Sequence, residues 1–427
     1  MHSSPYTLVE QFALARLGRS FGFLLSSTAL SNLADGVLKV GAPLMAVSFT
    51  RSPALVALTG AAATLPWLLL ALPAGALVDR LDRRRIMVAA NAARAAVLAV
   101  ATALAALGLM NLWVLLAVVT LACVSEVFAD TSAQAALPMA VPDTELTRAN
   151  GRVVGTQILG NDFAGAPLAG LLVTALPAAV LGAPGILYGV AGLLLLGMRG
   201  RFRSPRAAPR PVAGEIAGAL RHLWSHRFLR TLALSAGVIN MAGAAYFGVL
   251  VLWVVGDGSA MGLAPSGYGL MLTVFAVGAL AGSMVAGRAG RLAGDGPAFV
   301  TLWAICALAH LVPVLLPVPW LLYVTAIVWG VSGAAANVLV ITTRQRIIPE
   351  EMLGRVNAAY RMIGMGGMPV GAALGGLAGE VAGLPAVFLG ATAVQLLAVF
   401  LIGRVVFSAN SARVTSGVTI PDITGSR

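Results

Sequence analysis

The sequence is poor in charged residues. They make up 10% of its 427 residues, whereas a typical soluble domain has about 25%. Hydrophobic residues make up 59%, and the mean hydropathy is +0.91. So few polar side chains cannot cover a water-facing surface, which excludes an ordinary soluble protein.

Cysteine and histidine are also scarce, with two and four residues. Cys123 and Cys306 both lie in apolar blocks, which favours small buried side chains over a disulfide or metal pair. His222 and His226 are four residues apart, but no third metal ligand is evident. The sequence has no Walker loop and no Ser–His–Asp arrangement. We therefore predict no enzyme activity, no metal, no ATP-driven transport and no cofactor.

The apolar residues lie in long blocks of about 20 residues, which is the length a helix needs to cross the hydrocarbon core of a bilayer. Only helices or closed barrels satisfy the backbone in lipid, and these blocks are too long and uniform for barrel strands. The sequence therefore predicts an all-α membrane protein with twelve transmembrane helices. The blocks are 21–48, 54–78, 86–108, 113–135, 152–175, 178–198, 229–255, 267–287, 298–317, 320–341, 357–379 and 385–407.

The formal net charge of +12 would suggest a nucleic-acid partner in a soluble protein. Here the arginines collect in alternate connections between the blocks, as cytoplasmic loops do under the positive-inside rule. If both termini are cytoplasmic, the outside loops contain only Arg51. We therefore predict a multi-pass protein of the bacterial inner membrane with both termini in the cytoplasm, in contact with lipids and not with nucleic acid.

The two halves of the sequence repeat each other. VPDTELTRAN, at 141–150, aligns with IPEEMLGRVN, at 348–357, and Gly75 and Val78 match Gly282 and Val285 at the same offset. Six helices per half, repeated in parallel, form two bundles that flank a central site. The predicted domains are an N-terminal bundle at 1–198, a cytoplasmic linker with a short amphipathic helix at 199–228, a C-terminal bundle at 229–407 and a disordered tail at 408–427.

The segment GALVDRLDRRR, at 75–85, resembles the loop signature of the major facilitator superfamily. The matching residues are Gly75, Leu77, Asp79, Arg80, Arg83 and Arg84, while Asp82 replaces the usual second glycine. The chain also resembles the macrolide and siderophore exporter branch of the drug:proton antiporters. This resemblance is strongest at 134–152 and 344–376. This resemblance implies that Gly75, Asp79 and the arginines form a gating loop. The alternative is that Arg83 to Arg85 anchor to lipid phosphates.

The fifth block contains Gly160, Gly165, Pro167 and Gly170, which resembles the glycine–proline signature of facilitator antiporters. Ala166 stands where a glycine is expected directly before the proline. Small residues let helices approach closely and proline allows a bend. The alternative to a dedicated hinge is ordinary tight packing.

Ionisable residues inside the apolar blocks are the strongest functional signal, because a charge in the bilayer is costly and marks a site. Exporters of the resembled branch commonly use acids on helices one and four. We therefore expect Asp35 and Glu126 to be the leading proton-coupling acids, with Asp130 and Asp162 secondary and Lys39 and Arg94 as charge partners. The alternative is that Asp35–Lys39 and Arg94–Glu126 are permanent structural ion pairs.

The hypothesis is a transporter that expels a small lipophilic molecule by proton antiport and alternating access. It would be driven by the proton motive force, contribute to antibiotic resistance and work as a monomer. Two alternatives remain: a proton-coupled nutrient importer on the same fold, and a transport-inactive sensor or scaffold. His310 is expected to be a packing residue. Candidate residues of the substrate cavity are Asn32, Gln134, Asn240, Tyr246 and Asn337.

Overall fold

The computed structural model describes residues 18–203, 221, 223–348 and 350–416. The longer elements in this part are all helices, joined by short turns. The helices are α1 Arg19–Phe49, α2 Pro53–Arg80, α3 Arg83–Ala106, α4 Leu112–Ala140, α5 Leu146–Gln157, α6 Gly165–Ala175, α7 Ala179–Leu195, α8 Arg227–Val254, α9 Pro265–Ala293, α10 Asp295–Ala309, α11 Val312–Leu315, α12 Pro319–Ile347, α13 Glu350–Ala382 and α14 Leu384–Ser416.

Every one of the twelve predicted blocks is helical, which confirms the fold class. Within the described residues, ten helical segments are long and apolar enough to cross a membrane, and Ala179–Leu195 is a shorter apolar helix. The remaining block is α1, whose 31 residues include the polar and charged groups discussed below. Several helices extend beyond their apolar block, because a helix satisfies its own backbone in water as well as in lipid.

Two predictions about the connections meet the structure only in part. Residues 204–220 and 222 lie outside the described residues, and most of the predicted amphipathic helix falls there. At the C-terminus, α14 extends to Ser416, so the start of the predicted disordered tail at 408–427 is helical. Residues 417–427 lie outside the described part.

The chain divides into two compact units. The first comprises residues 1–50 and 62–208, and the second comprises residues 51–61 and 209–427. The first turns of α2 are therefore grouped with the second unit, unlike the predicted division at 198. A reason is visible in α13, where a side chain at Gly376 would meet the Cβ atom of Ala57 at 2.7 Å. The absence of a side chain there allows close packing within the second unit.

In the first unit, α1 is packed against a break in a helix. A π-helical segment, Ile158–Ala164, separates α5 from α6. Pro167 has no N–H to donate one turn back, so one hydrogen bond of the regular pattern is missing next to this segment. In the predicted glycine–proline region, the structure contains a π-helix.

Glycines allow the close approach of α1 to this segment. A Cβ atom on Gly36 would lie 2.6 Å from the Asn161 carbonyl oxygen, and one on Gly165 would lie 2.7 Å from Gly36. A Cβ atom on Gly160 would lie 2.8 Å from the backbone nitrogen of Leu33. The contact is backbone against backbone, so it fixes the position of the α1 residues that follow Leu33.

Candidate functional site

A buried ion pair of the first unit joins α1 and α3. The Arg94 Nη1 donates to the Asp35 Oδ1 at 3.3 Å, and the two side chains are 0% and 4% exposed. The Tyr188 hydroxyl of α7 donates to the same carboxylate oxygen at 2.6 Å. The Arg94 guanidinium also lies 4.7 Å from the centre of the Tyr188 ring. Three helices therefore converge on one carboxylate.

A second ion pair lies one turn further along α1. The Lys39 Nζ lies 3.2 Å from the Glu126 Oε1 of α4, and the two side chains are 46% and 10% exposed. The Lys39–Glu126 pair is therefore partly exposed, whereas the Asp35–Arg94 pair is buried.

The observed pairing differs from the structural alternative of Asp35–Lys39 and Arg94–Glu126. The pairs found are Asp35–Arg94 and Lys39–Glu126. Asp35 and Lys39 are one turn apart on the same helix, but each side chain reaches a different neighbouring helix. A pair between helices joins groups that packing brings together, whereas spacing along one helix shows only which groups share a face.

Asp130 completes the cluster from the next turn of α4. It interacts electrostatically with Asp35, Glu126, Arg94 and Lys39. Among the described residues, no salt bridge or hydrogen bond to its carboxylate is found. The cluster therefore holds three carboxyl groups and two cationic groups, and one bound proton makes its charges balance. The Nε and Nη2 atoms of Arg94 have no partner among the described residues.

Tyr188 was missed in the sequence because a tyrosine in an apolar block carries no charge that draws attention. Its side chain is 0% exposed. A buried hydroxyl needs a partner, which is the one signal that could have found it. The side chain of Asp162 lies outside the described residues, so its predicted role stays a prediction.

The predicted cavity residues are spread over both units. Asn32 is buried on α1, and Gln134 is exposed on α4. In the second unit, Asn240 and Asn337 are exposed on α8 and α12. The structure does not test their part in substrate binding.

Tyr246, the fifth of these residues, is fully buried in an aromatic cluster of the second unit. Its hydroxyl donates to the His310 carbonyl at 3.0 Å. The His310 ring is buried and stacks on Trp329 with ring centroids 5.0 Å apart. Around Tyr246, the contacts are therefore those of a packed core.

The predicted gating loop spans the end of α2, which contains Gly75, Asp79 and Arg80, and the start of α3, which contains Arg83 and Arg84. The Arg83 Nη2 is 3.7 Å from the Asp79 Oδ1, with side chains 9% and 76% exposed. Asp82 caps α3, because its carboxylate accepts the Arg85 N–H at 3.1 Å. Its φ of −74° is ordinary for an L residue, so the usual glycine is not required here. Arg84 donates to the carbonyls at the end of α7, at Leu195 and Leu196.

No group of three or more potential metal ligands is found in the described part of the chain. The site is a cluster of charged side chains inside an apolar helix bundle.

Solved structures of membrane transporters share this fold. A mutant of the nucleoside transporter NupG superposes with a TM-score of 0.71 at 11% identity, over 91% of this chain and 100% of that one. A bacterial homologue of the iron transporter ferroportin, in an inward-facing state, gives 0.71 at 16% identity over 91% and 98%. A bacterial homologue of the human lysosomal transporter Spinster, inward-facing and unoccupied, gives 0.65 at 15% over 99% and 100%.

The helices and these structural relatives define a multi-span membrane protein with the major facilitator fold. Residues 13–420 match the model of a family described as transmembrane secretion effectors, and the chain belongs to this family of transporters. Transporters of this class act on small molecules and need no cofactor. No curated protein matches the chain significantly.

Proposed function

We propose that this protein exports a small lipophilic molecule, such as a drug, an antibiotic or a siderophore, across the bacterial inner membrane in exchange for protons. The observation that carries the proposal is the cluster of Asp35, Glu126, Asp130, Lys39 and Arg94. A buried group with one more carboxyl than cation reaches charge balance by binding one proton. Driving force is available, because one charge moving through 100 mV yields about 2.3 kcal/mol.

Asp130 is the carboxyl group that first takes the proton in this scheme. Asp35 and Glu126 each have a cation within 3.3 Å, whereas no such partner of Asp130 is found among the described residues. Repulsion by Glu126, one turn away on the same helix, adds to the gain from neutralising it. The spare N–H donors of Arg94 allow the ion pairs to rearrange when the proton arrives. Asp35 and Glu126 are thus positioned to respond to the charge on Asp130.

The direction of transport is supported by the family description, secretion effector, and by the resemblance to macrolide and siderophore exporters. The gating role of Asp79, Arg80, Arg83 and Arg84 follows from the same resemblance. A lipophilic cargo is part of the proposal, and the second unit contains an aromatic cluster that includes Tyr246, Phe247 and Trp329. Contribution to antibiotic resistance and monomeric action are part of the proposal.

The test is proton release from acidified inside-out vesicles. Lipophilic antibiotics, dyes and siderophores are added outside, and a pH-sensitive dye reports loss of the lumenal protons. We expect substrate-triggered release with the wild type and none with Asp130→Asn. Asp257→Asn serves as a control, because it removes an exposed acid in the loop after α8.

Release that is undiminished in Asp130→Asn would refute the assignment of the proton to Asp130. Asp35→Asn and Glu126→Gln are measured in parallel. If only one of these variants loses substrate-triggered release, the proton is assigned to that acid. No release with any compound, together with accumulation of a nutrient in right-side-out vesicles, would favour the importer. No movement of any compound in either vesicle would favour the sensor or scaffold.

A further inference from the structure

An arginine-lined cavity lies at the end of the first unit where α1 begins. Its volume is about 280 Å³, and its lining includes Arg19, Arg199 and Arg201. The positive-inside pattern predicts that this end faces the cytoplasm. It lies at the ends of α1 and α4, whereas the charge cluster lies further along both helices, and the proposed transport cycle does not use it.

The chain after α7 builds this cavity by docking onto the bundle. The Ser20 hydroxyl donates to the Arg199 carbonyl at 2.9 Å and accepts the Arg199 N–H at 3.1 Å. Phe202 is 2% exposed and packs in a core cluster with Phe21 and Met87. The Phe202 carbonyl accepts the Arg83 N–H at 3.1 Å. Residues 199–203 are therefore a fixed wall of the cavity and not a free linker.

The arginines of this face have two different roles. Arg84 and Arg203 cap helix ends, since they donate to the carbonyls of Leu195, Leu196 and Arg80. For the cavity arginines, in contrast, the described residues provide no side-chain hydrogen bond or ion pair. All three are exposed. Guanidinium groups held together without acidic partners leave their donors available to an anion.

The start of α1 adds to the positive potential. Its N-cap is Gly18, which makes no side-chain capping bond to the first turn. The first N–H groups of a helix and its dipole attract negative charge. The cavity is therefore lined by three arginines and by the first residues of α1, whose first turn has no side-chain cap from Gly18.

We propose that this cavity binds a phosphate group, supplied by the headgroup of an anionic membrane lipid. Arginine forks match the oxygens of phosphate in geometry and charge. A headgroup bound here touches the start of α1 and the first residues after α7 together. Anionic lipid then adds a further contact between residues 199–201 and the start of α1. The same chemistry would accept a soluble phosphate, so the test distinguishes the two sources.

The test uses the purified full-length protein and two triple variants. The site variant carries Arg19→Gln, Arg199→Gln and Arg201→Gln. The control variant carries Arg288→Gln, Arg291→Gln and Arg404→Gln, which removes the same charge from exposed positions of the second unit. Binding of phosphatidylglycerol and of phosphatidylcholine is measured by native mass spectrometry. Stabilisation by inorganic phosphate is measured by thermal unfolding.

We expect wild type to prefer phosphatidylglycerol and the site variant to lose affinity on the order of 100-fold, at about fivefold for each arginine. The control variant keeps the affinity of wild type, and lysine at the three site positions restores part of it. Equal losses in both triple variants, or no preference for phosphatidylglycerol and no effect of phosphate in wild type, would overturn the proposal. Binding of inorganic phosphate without binding of lipid would refute the lipid source. The cavity would then be a site for a soluble phosphate. None of these readouts depends on transport, so they stand apart from the export proposal.

Discussion

The pairing of charges in the first unit can be tested by a double-mutant cycle. Arg94→Leu removes the cation from a carboxylate that is only 4% exposed. Breaking a buried pair by removing one partner costs about 3–5 kcal/mol, because the other charge stays buried without compensation. We therefore expect Arg94→Leu to lower the free energy of unfolding by about this amount. The double variant Arg94→Leu, Asp35→Leu leaves neither partner of this pair buried alone, so its loss is smaller than the sum of the single losses.

The pair between Lys39 and Glu126 provides the internal comparison. Lys39 is 46% exposed, whereas Arg94 is fully enclosed by its neighbours, so the Lys39 side chain is less constrained in its pair. We expect the coupling energy of this pair to be smaller than the value of about 1–3 kcal/mol expected for the pair of Asp35 and Arg94. The assay is unfolding in mixtures of dodecyl sulfate and a mild detergent, followed by circular dichroism.

The same cycle run on Asp35 with Lys39 tests the pairing that helical spacing suggests. The geometry predicts weak coupling there, because the Lys39 ammonium lies 3.2 Å from Glu126 instead. Stronger coupling of Asp35 to Lys39 than to Arg94 would refute the interhelical arrangement. An Arg94→Leu variant as stable as wild type would refute the reasoning on burial.

Three further predictions concern stability. Gly36→Ala should cost about 1–3 kcal/mol, because its Cβ atom meets backbone that cannot move aside; the control Gly22→Ala has open space and should not destabilise. Tyr188→Phe should cost about 1.5–3 kcal/mol, since it removes a hydrogen bond to a charged group. Arg346→Gln should cost no more than about 1 kcal/mol despite its 2.6 Å contact with Asp295, because Arg346 is 41% exposed. Each is measured by the detergent unfolding assay above.

Each of these three stability predictions has an outcome that would contradict it. Equal stability of the two alanine variants would show that α1 does not approach the π-helical segment. A Tyr188→Phe variant as stable as wild type would remove the hydroxyl from the cluster. A loss of several kcal/mol in Arg346→Gln would show that its ion pair is far less screened than its exposure indicates.

The spans could be predicted because the energy of placing a helix in lipid is nearly a sum over its residues. A block of about 20 apolar residues is therefore sufficient evidence for a helix, whatever its neighbours are. The π-helical segment is different. Pro167 and the nearby glycines indicate irregular packing, but whether the chain bends, bulges or packs straight depends on the α1 surface against it. The partner surface, at Gly36, lies more than a hundred residues earlier.

The site was predictable by residue type and not by partner. Charge in an apolar block marks Asp35, Glu126 and Arg94, since such residues are costly in lipid. Which cation meets which acid depends on how each helix is rotated about its axis, and no single block contains that information. Tyr188 shows the same limit, because its contribution comes from where its hydroxyl points.

The acidic residues of the second unit lie at different positions along the helices from those of the first unit. Among the side chains that the structure describes there, Asp257 lies in a loop, Asp295 begins α10 and Glu380 lies in the last turn of α13. None of these is at the middle of a span, where the first unit has Asp35 and Glu126. We therefore propose that the first unit handles the proton in the export cycle. Substitutions in the charge cluster should then change the coupling of transport to protons more than the affinity for a lipophilic cargo.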